Sequence, residues 1–114
     1  MNQNTDLELK KRKSRNDRLV RTYGITLDQY EILLQESNGR CGICGNKPRK
    51  YPLNVDHEHS TGIIRGLLCM RCNRGLGLLG DSLERIDKAR LYLERFEEMR
   101  FVNECKWSLK VEGK

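Results

Sequence analysis

The sequence predicts a small zinc-stapled α+β domain, in which helices flank a central ββα element. The length of 114 residues favours one domain. An apolar fraction of 37% against a charged fraction of 33% leaves little material for a hydrophobic core, so a bound metal would stabilise the fold. Two Cys-x-x-Cys pairs, Cys41/Cys44 and Cys69/Cys72, have the spacing of a four-thiolate zinc site.

Residues 1–22 are predicted to form a basic N-terminal arm that is helical or partly disordered. The formal net charge of the chain is +6, and the segment from Asp6 to Arg21 is dense in Lys and Arg. This balance indicates a polyanionic partner, with nucleic acid as the first choice and an anionic membrane surface as the second. The arm could lie along a phosphate backbone. A solvated helix face or a flexible tail explains the same charges equally well.

Residues 23–80 are predicted to form the zinc-bound core, which begins with a helix. Thr26 and Gln29 have the spacing of a capping box at its start. The apolar residues that follow share one helical face: Leu27, Tyr30, Leu33 and Leu34. The run Ser37-Asn38-Gly39 ends the helix, which we expect to pack against the zinc region.

A β-hairpin is predicted between the two cysteine pairs. Residues 53–59 alternate apolar and polar side chains, Ser60-Thr61-Gly62 is a turn signal, and residues 63–68 form the returning strand. Residues 73–79 then predict a short helix. Two glycines within it weaken that prediction and would instead permit close approach of another backbone.

Residues 81–114 predict a long amphipathic helix followed by a tail. The run Asp81-Ser82-Leu83-Glu84 is an N-terminal capping signal, and an apolar stripe continues to Phe96. The stripe indicates core packing, with a partner-helix interface as the alternative. The fifth cysteine, Cys105, is interpreted as a small apolar or idle residue and not as a metal ligand.

The cysteines are expected to be reduced, because the sequence predicts an intracellular protein. The first nine residues contain no apolar run of the kind found in a secretory signal, and no segment is apolar enough to span a bilayer. Paired cysteines in such a compartment indicate metal ligands before disulfides. Four thiolates close a tetrahedral zinc site, so this zinc would be structural and any catalysis must come from other residues.

The segment Asp56-His57-Glu58-His59 and the later Asn73 carry the residue types that phosphodiester hydrolysis needs. His57 is suited to activate water, while Asp56 and Asn73 offer the oxygen ligands that Mg²⁺ prefers. In a regular strand Asp56 and His57 would point to opposite faces, a conflict that a strand end or a bulge at His57 would remove. The alternatives are two solvated histidines on a surface hairpin or an adventitious second metal site.

These motifs, in this order, resemble the phage-type recombination endonuclease VII family of His-Me finger (HNH-like, ββα-metal) nucleases. The resemblance covers residues 41–80 and rests on Cys41-x-x-Cys44, Asp56-His57-x-His59 and the run Thr-Gly-Ile-Ile-Arg-Gly-Leu-Leu-Cys-x-x-Cys-Asn over 61–73. It extends more loosely upstream over residues 21–30.

The resemblance implies a metal-dependent DNA endonuclease of the type that resolves branched DNA such as Holliday junctions. The four paired cysteines would bind structural Zn²⁺, and Asp56 and Asn73 would hold a catalytic Mg²⁺ or Mn²⁺. His57 would be the general base and His59 an accessory residue near the scissile phosphate. Products would carry 5′-phosphate and 3′-hydroxyl ends. The implied partners are DNA and a second copy through the helix over residues 81–100, with no membrane, in the host cytoplasm for a phage-encoded chain.

Two departures from the family pattern bear on the active site and on junction specificity. Leu76 stands where the best-known member has an active-site glutamate, and Asp81 could replace it only if the chain turns back there. The chain is also short after the 81–99 helix, so we expect a reduced junction-binding part. Basic candidates for phosphate contacts are Lys47, Arg49, Lys50 and Arg65.

Three alternatives to a branched-DNA resolvase stay open at this stage. One is a general HNH-like nicking endonuclease without junction preference. Another is a non-catalytic zinc-ribbon module that binds nucleic acid. The third is a structural or interaction protein, which would leave the basic arm unexplained.

Overall fold

The computed structural model describes residues 3–112, with side chains over 3–100, and shows an α+β fold built around a two-stranded sheet. Cys105 and Trp107 therefore lie outside the side chains described. The chain divides into two units, one ending at Gly75 and one beginning at Leu76, which are treated separately. The elements in chain order are α1 (Gln3–Tyr23), α2 (Leu27–Glu36), β1 (Asn54–His57), β2 (Ile64–Leu68), α3 (Met70–Leu78) and α4 (Leu83–Glu112).

The N-terminal basic segment is a helix, α1, that is attached to α2. Leu19 is its buried apolar residue. Asn16 accepts a hydrogen bond from the backbone N–H of Leu27 at 2.8 Å. Arg12 forms ion pairs with Asp28 and Glu31 at 2.8 and 2.9 Å. One part of the basic charge is thus used within the protein and not offered to a partner.

The predicted capping box starts α2. The Thr26 hydroxyl accepts from the backbone N–H of Gln29, and the Gln29 side chain accepts from the N–H of Thr26. The helix ends where predicted, because Asn38 and Gly39 adopt the left-handed conformation that terminates a helix. Leu27 and Tyr30 are buried from the predicted apolar face.

β1 and β2 pair antiparallel and contribute Val55, Leu67 and Leu68 to the small core. Their buried residues pack with those of α1 and α2 and with the first cysteine: Leu19, Leu27, Tyr30, Cys41, Leu53, Val55, Leu67 and Leu68. Both strands are shorter than predicted. β1 ends at His57 and not at His59, because the backbone of Glu58 bonds to Ile63 and Gly62 and so closes the turn.

α3 begins at Met70, earlier than the predicted start at residue 73. Cys72 and Asn73 therefore lie in the first turn of a helix, where the N–H of Asn73 donates to the carbonyl of Cys69 at 2.9 Å. The helix tolerates Gly75 and Gly77, and open space surrounds both. Close approach of another backbone to these glycines is not seen within the described residues.

The second unit consists of the end of α3, a turn and α4. The Ser82 hydroxyl accepts from the N–H of Arg85, which identifies Ser82 as the helix cap. Leu83, Leu93 and Phe96 of the apolar stripe are each more than half exposed. Among the helices described, none combines the length and the apolar character that crossing a membrane requires.

Candidate functional site

The four paired cysteines converge into one cluster. Their sulfur atoms all lie within 4.8 Å of one another, and none of the four forms a disulfide. The N–H of Ile43 donates to the sulfur of Cys41, and the N–H of Cys72 donates to that of Cys69, each at 3.4 Å. Such donors support thiolate ligands. The cluster fits a structural, zinc-like metal site, as the spacing predicts.

The thiols of this cluster differ in how readily they ionise. Burial raises the pKa of the Cys41 thiol, but backbone hydrogen bonds from Cys69, Ile43 and Cys44 outweigh it and lower the pKa to about 6. Burial, with hydrogen bonds from the other cysteines, raises the pKa of Cys72 to about 12.

The first cysteine turn is tied to the hairpin through backbone atoms. The N–H of Gly42 donates to the carbonyl of Leu67 at 3.0 Å, and a side chain at Gly42 would meet that oxygen at 3.3 Å. The second pair directly follows β2 and enters α3. The metal site thus joins the loop that precedes β1 to the residues that follow β2.

Asp56 is a buried charged residue at the end of the hairpin, and it is held by Arg65. Arg65 Nε donates to Asp56 Oδ2 at 2.8 Å, and Nη2 donates to Oδ1 at 2.9 Å. Among the residues described, Asp56 is the one buried charged side chain. Arg65, a sequence-predicted phosphate contact, is thereby placed against a predicted metal ligand.

A β-bulge lies beside His57, where the sequence predicts a strand end or a bulge. Asp56 pairs with Gly66, but His57 pairs with Ile64, so the register shifts between Asp56 and His57 and Arg65 is the extra residue. The additional residue is on β2 and not on β1. A bulge re-aims side chains and is common beside active sites.

The two histidines of the chain meet at this bulge. The rings of His57 and His59 have centroids 5.0 Å apart, and the ring of Tyr23, at the end of α1, lies 5.7 Å from that of His57 in an edge-on arrangement. His57 is half-buried and His59 is exposed. Sequence reasoning missed Tyr23, because no local pattern indicates which ring a distant histidine will contact.

The remaining predicted site residues are Asn73 on α3 and three basic residues on the loop before β1. Asn73 is half-buried on α3, and among the described residues no hydrogen bond joins its side chain to Asp56 or His57. Lys47, Arg49 and Lys50 lie on an exposed loop. The structure therefore brings the rings of His57 and His59 together at one end of the hairpin, while Asp56, the residue before His57, is paired with Arg65.

The chain does turn back after α3, which was the condition for a role of Asp81. The N–H of Asp81 donates to the carbonyl of Leu76 at 2.9 Å, and Asp81 has a positive φ of 51°. Leu76 and Asp81 are both half-buried. The turn thus brings a carboxylate-bearing residue back to the helical turn that carries Leu76.

Comparison with known proteins covers most of this region. A sequence model described as recombination endonuclease VII matches residues 16–95. The Gene 59 protein of Mycobacterium phage D29 is 42% identical over 90 residues, which are 76% of this chain and 54% of that protein. The Gene 59 protein of Mycobacterium phage L5 is 46% identical over 78 residues, 67% of this chain and 48% of that protein. The chain spans about half the length of these curated relatives.

Proposed function

The chain belongs to the recombination endonuclease VII family, and from this we infer that it is a metal-dependent endonuclease that hydrolyses DNA phosphodiester bonds. The observation that carries the proposal is that the family match spans the cysteine cluster, the bulged hairpin and α3 together. In this proposal residues 1–22 are a DNA-binding arm and residues 23–80 the nuclease core. Residues 81–114 are a long amphipathic helix and tail, and residues 81–100 would contact a second copy.

His57 is the proposed general base. Its half-buried ring contacts the rings of Tyr23 and His59, which restrain its orientation, and part of His57 remains exposed to water. An imidazole nitrogen would take the proton from the attacking water. His59, which is more exposed, is proposed to lie near the scissile phosphate as an accessory residue.

Asp56 and Asn73 are the proposed ligands of the catalytic divalent cation, Mg²⁺ or Mn²⁺. Their carboxylate and amide oxygens are the hard donors that such ions prefer, and Mg²⁺ needs only one or two of them from protein. Asp56 fits because it is a buried carboxylate fixed on a strand beside His57. When bound, the ion would neutralise charge on the phosphate and on the leaving oxygen.

Phosphate binding is proposed for the exposed basic residues. Lys47, Arg49 and Lys50 lie on the loop before β1 and would contact the backbone of DNA. The lysines of α1, which are not part of the Arg12 ion pairs to α2, would do the same. Such contacts carry no sequence information, and they predict that affinity falls steeply with salt.

A nicking endonuclease without junction preference is the second candidate, because the family match supports nuclease chemistry and not a choice of DNA structure. Leu76 stands where the best-known relative has an active-site glutamate, and no catalytic role is proposed for it. Branched DNA as the substrate, a homodimer through residues 81–100 and action in the host cytoplasm belong to the resolvase proposal.

Cleavage of supercoiled plasmid and of a four-way junction tests the proposal. Zinc-loaded protein should nick DNA only with Mg²⁺, and His57→Ala should lose nicking while it keeps its zinc and its affinity for DNA. Asp28→Asn, which alters an exposed carboxylate on α2, is the control and should cleave normally. Junction preference would select the resolvase. DNA that is bound but left intact by the wild type would contradict catalysis and favour a zinc-ribbon binding module.

A further inference from the structure

We propose that Arg65 and the divalent cation compete for the carboxylate of Asp56, so that Arg65 sets the affinity of the site for its cation. The inference rests on the proposed function, because it takes Asp56 as a cation ligand. It adds a positioning residue to that site and explains how the buried carboxylate of Asp56 is stabilised when no cation is bound.

The two charged groups form a complete fork. Both oxygens of Asp56 accept a hydrogen bond from the guanidinium of Arg65, at 2.8 and 2.9 Å. Paired parallel bonds of this type are the strongest that a carboxylate and a side chain make. A cation that approaches Asp56 therefore finds one lone pair of each oxygen already engaged by Arg65.

Sharing the carboxylate would be unfavourable. An ion such as Mg²⁺ lies about 2.1 Å from a ligand oxygen, which would place it within roughly 5 Å of the guanidinium that binds the same oxygens. Two like charges at that separation in a partly buried site repel strongly. The simplest outcome is exchange: one of the two cations leaves.

Arg65 is the partner that can move. The Asp56 side chain is 10% exposed, whereas that of Arg65 is 37% exposed. Arg65 is also the extra residue of the bulge, so its side chain can turn outward without a change in the pairing of Asp56 with Gly66. Asp56, in contrast, is fixed by the strand that carries it.

The pair has a second consequence for the protein without a bound cation. An unpaired buried carboxylate is strongly destabilising, and Arg65 supplies the opposite charge. Removing Arg65 should therefore weaken the fold when no divalent ion is present and strengthen cation binding, because nothing then competes for Asp56.

Titration of Mn²⁺ into the zinc-loaded full chain, followed by the electron paramagnetic resonance signal of free Mn²⁺, tests the inference without any cleavage. Arg65→Gln should bind Mn²⁺ roughly ten- to a hundredfold more tightly than the wild type, the scale of a lost charged hydrogen-bond pair. Arg65→Lys keeps the charge without the fork and should bind with intermediate affinity. Should the glutamine variant fail to fold, the lysine variant carries the test.

The matched control is Arg12→Gln. Arg12 also bridges carboxylates, those of Asp28 and Glu31, but on the exposed surface between α1 and α2. Arg12→Gln removes the same charge as Arg65→Gln, so an effect of net charge alone on Mn²⁺ affinity would appear in both variants. We expect its Mn²⁺ affinity to equal that of the wild type.

Two outcomes would overturn the inference, and they are distinguishable. If Asp56→Asn abolishes Mn²⁺ binding but Arg65→Gln binds no more tightly than the wild type, exchange is wrong and the proposed cation ligand stands. If Asp56→Asn binds Mn²⁺ as the wild type does, the cation assignment in the proposed function fails as well.

Discussion

Tyr23, which the sequence did not mark as a site residue, contacts the proposed general base, His57. Its ring packs edge-on against His57 at 5.7 Å, and the ring of His59 lies 5.0 Å from His57. An imidazole in contact with two rings has fewer orientations than one in solvent. The last residue of α1 thereby restrains the proposed base, although α1 carries no catalytic residue in the proposal.

Tyr23→Ala should reduce the rate of plasmid nicking about two- to tenfold, because an aromatic contact of this kind contributes about 0.5–1.5 kcal/mol. Tyr23→Phe keeps the ring and should cleave like the wild type. Single-turnover kinetics at saturating protein would separate this effect from DNA binding. Equal rates for the alanine variant and the wild type would show that the contact does not position His57.

At the scale of elements, one side chain connects α2 to the hairpin. The hydroxyl of Tyr30 donates to the carbonyl of Leu53 at 2.7 Å, and the guanidinium of Arg15 lies 4.9 Å from the centre of its ring. Burial raises the pKa of Tyr30, with Arg15 opposing this rise. A two-stranded hairpin is marginal alone, so this contact, joining three elements, supports the strand that carries Asp56 and His57.

Tyr30→Phe should lower the free energy of unfolding by about 1–2 kcal/mol, because the buried carbonyl of Leu53 loses its donor. Urea unfolding of the zinc-loaded protein measures this. Tyr51→Phe is the control, since Tyr51 is exposed and its loss of a hydroxyl should change stability little. An equal effect for both variants would contradict the role given to the hydrogen bond.

At the scale of the whole molecule, the cysteine cluster compensates for a thin core. Among the residues with described side chains, none is less than 2% exposed. In small zinc-binding peptides the metal contributes on the order of 10 kcal/mol, which is comparable with the total stability of a typical domain, about 5–15 kcal/mol. The first unit is therefore expected to depend on its metal.

Removal of zinc with a chelator should unfold the hairpin. The amide signals of Val55 and Leu67, which lie opposite each other in the sheet, should lose their dispersion in a nitrogen–proton NMR spectrum. Cys72→Ser should behave like the chelated protein, whereas Cys105→Ser should bind zinc normally. A hairpin that stays intact after zinc is removed would show that the apolar core suffices.

The local features of this fold could be predicted because each depends on neighbours in sequence. The zinc pairs follow from the spacing of cysteines, and the start of α2 follows from the reciprocal bonds of Thr26 and Gln29. The hairpin follows from alternation and a turn, although its strands are shorter than predicted because backbone bonds close the turn early. The need for a bulge at His57 was also visible from strand geometry.

The sequence by itself thus determined the fold class, the four-cysteine metal site and the family. Only the tertiary structure decided which partners the site residues have: Arg65 for Asp56, and Tyr23 for His57. The physical reason is register. A one-residue shift in β2 decides whether Arg65 or Ile64 faces His57, and the packing of α1 decides where Tyr23 lies. Such long-range choices leave no periodic trace in the chain.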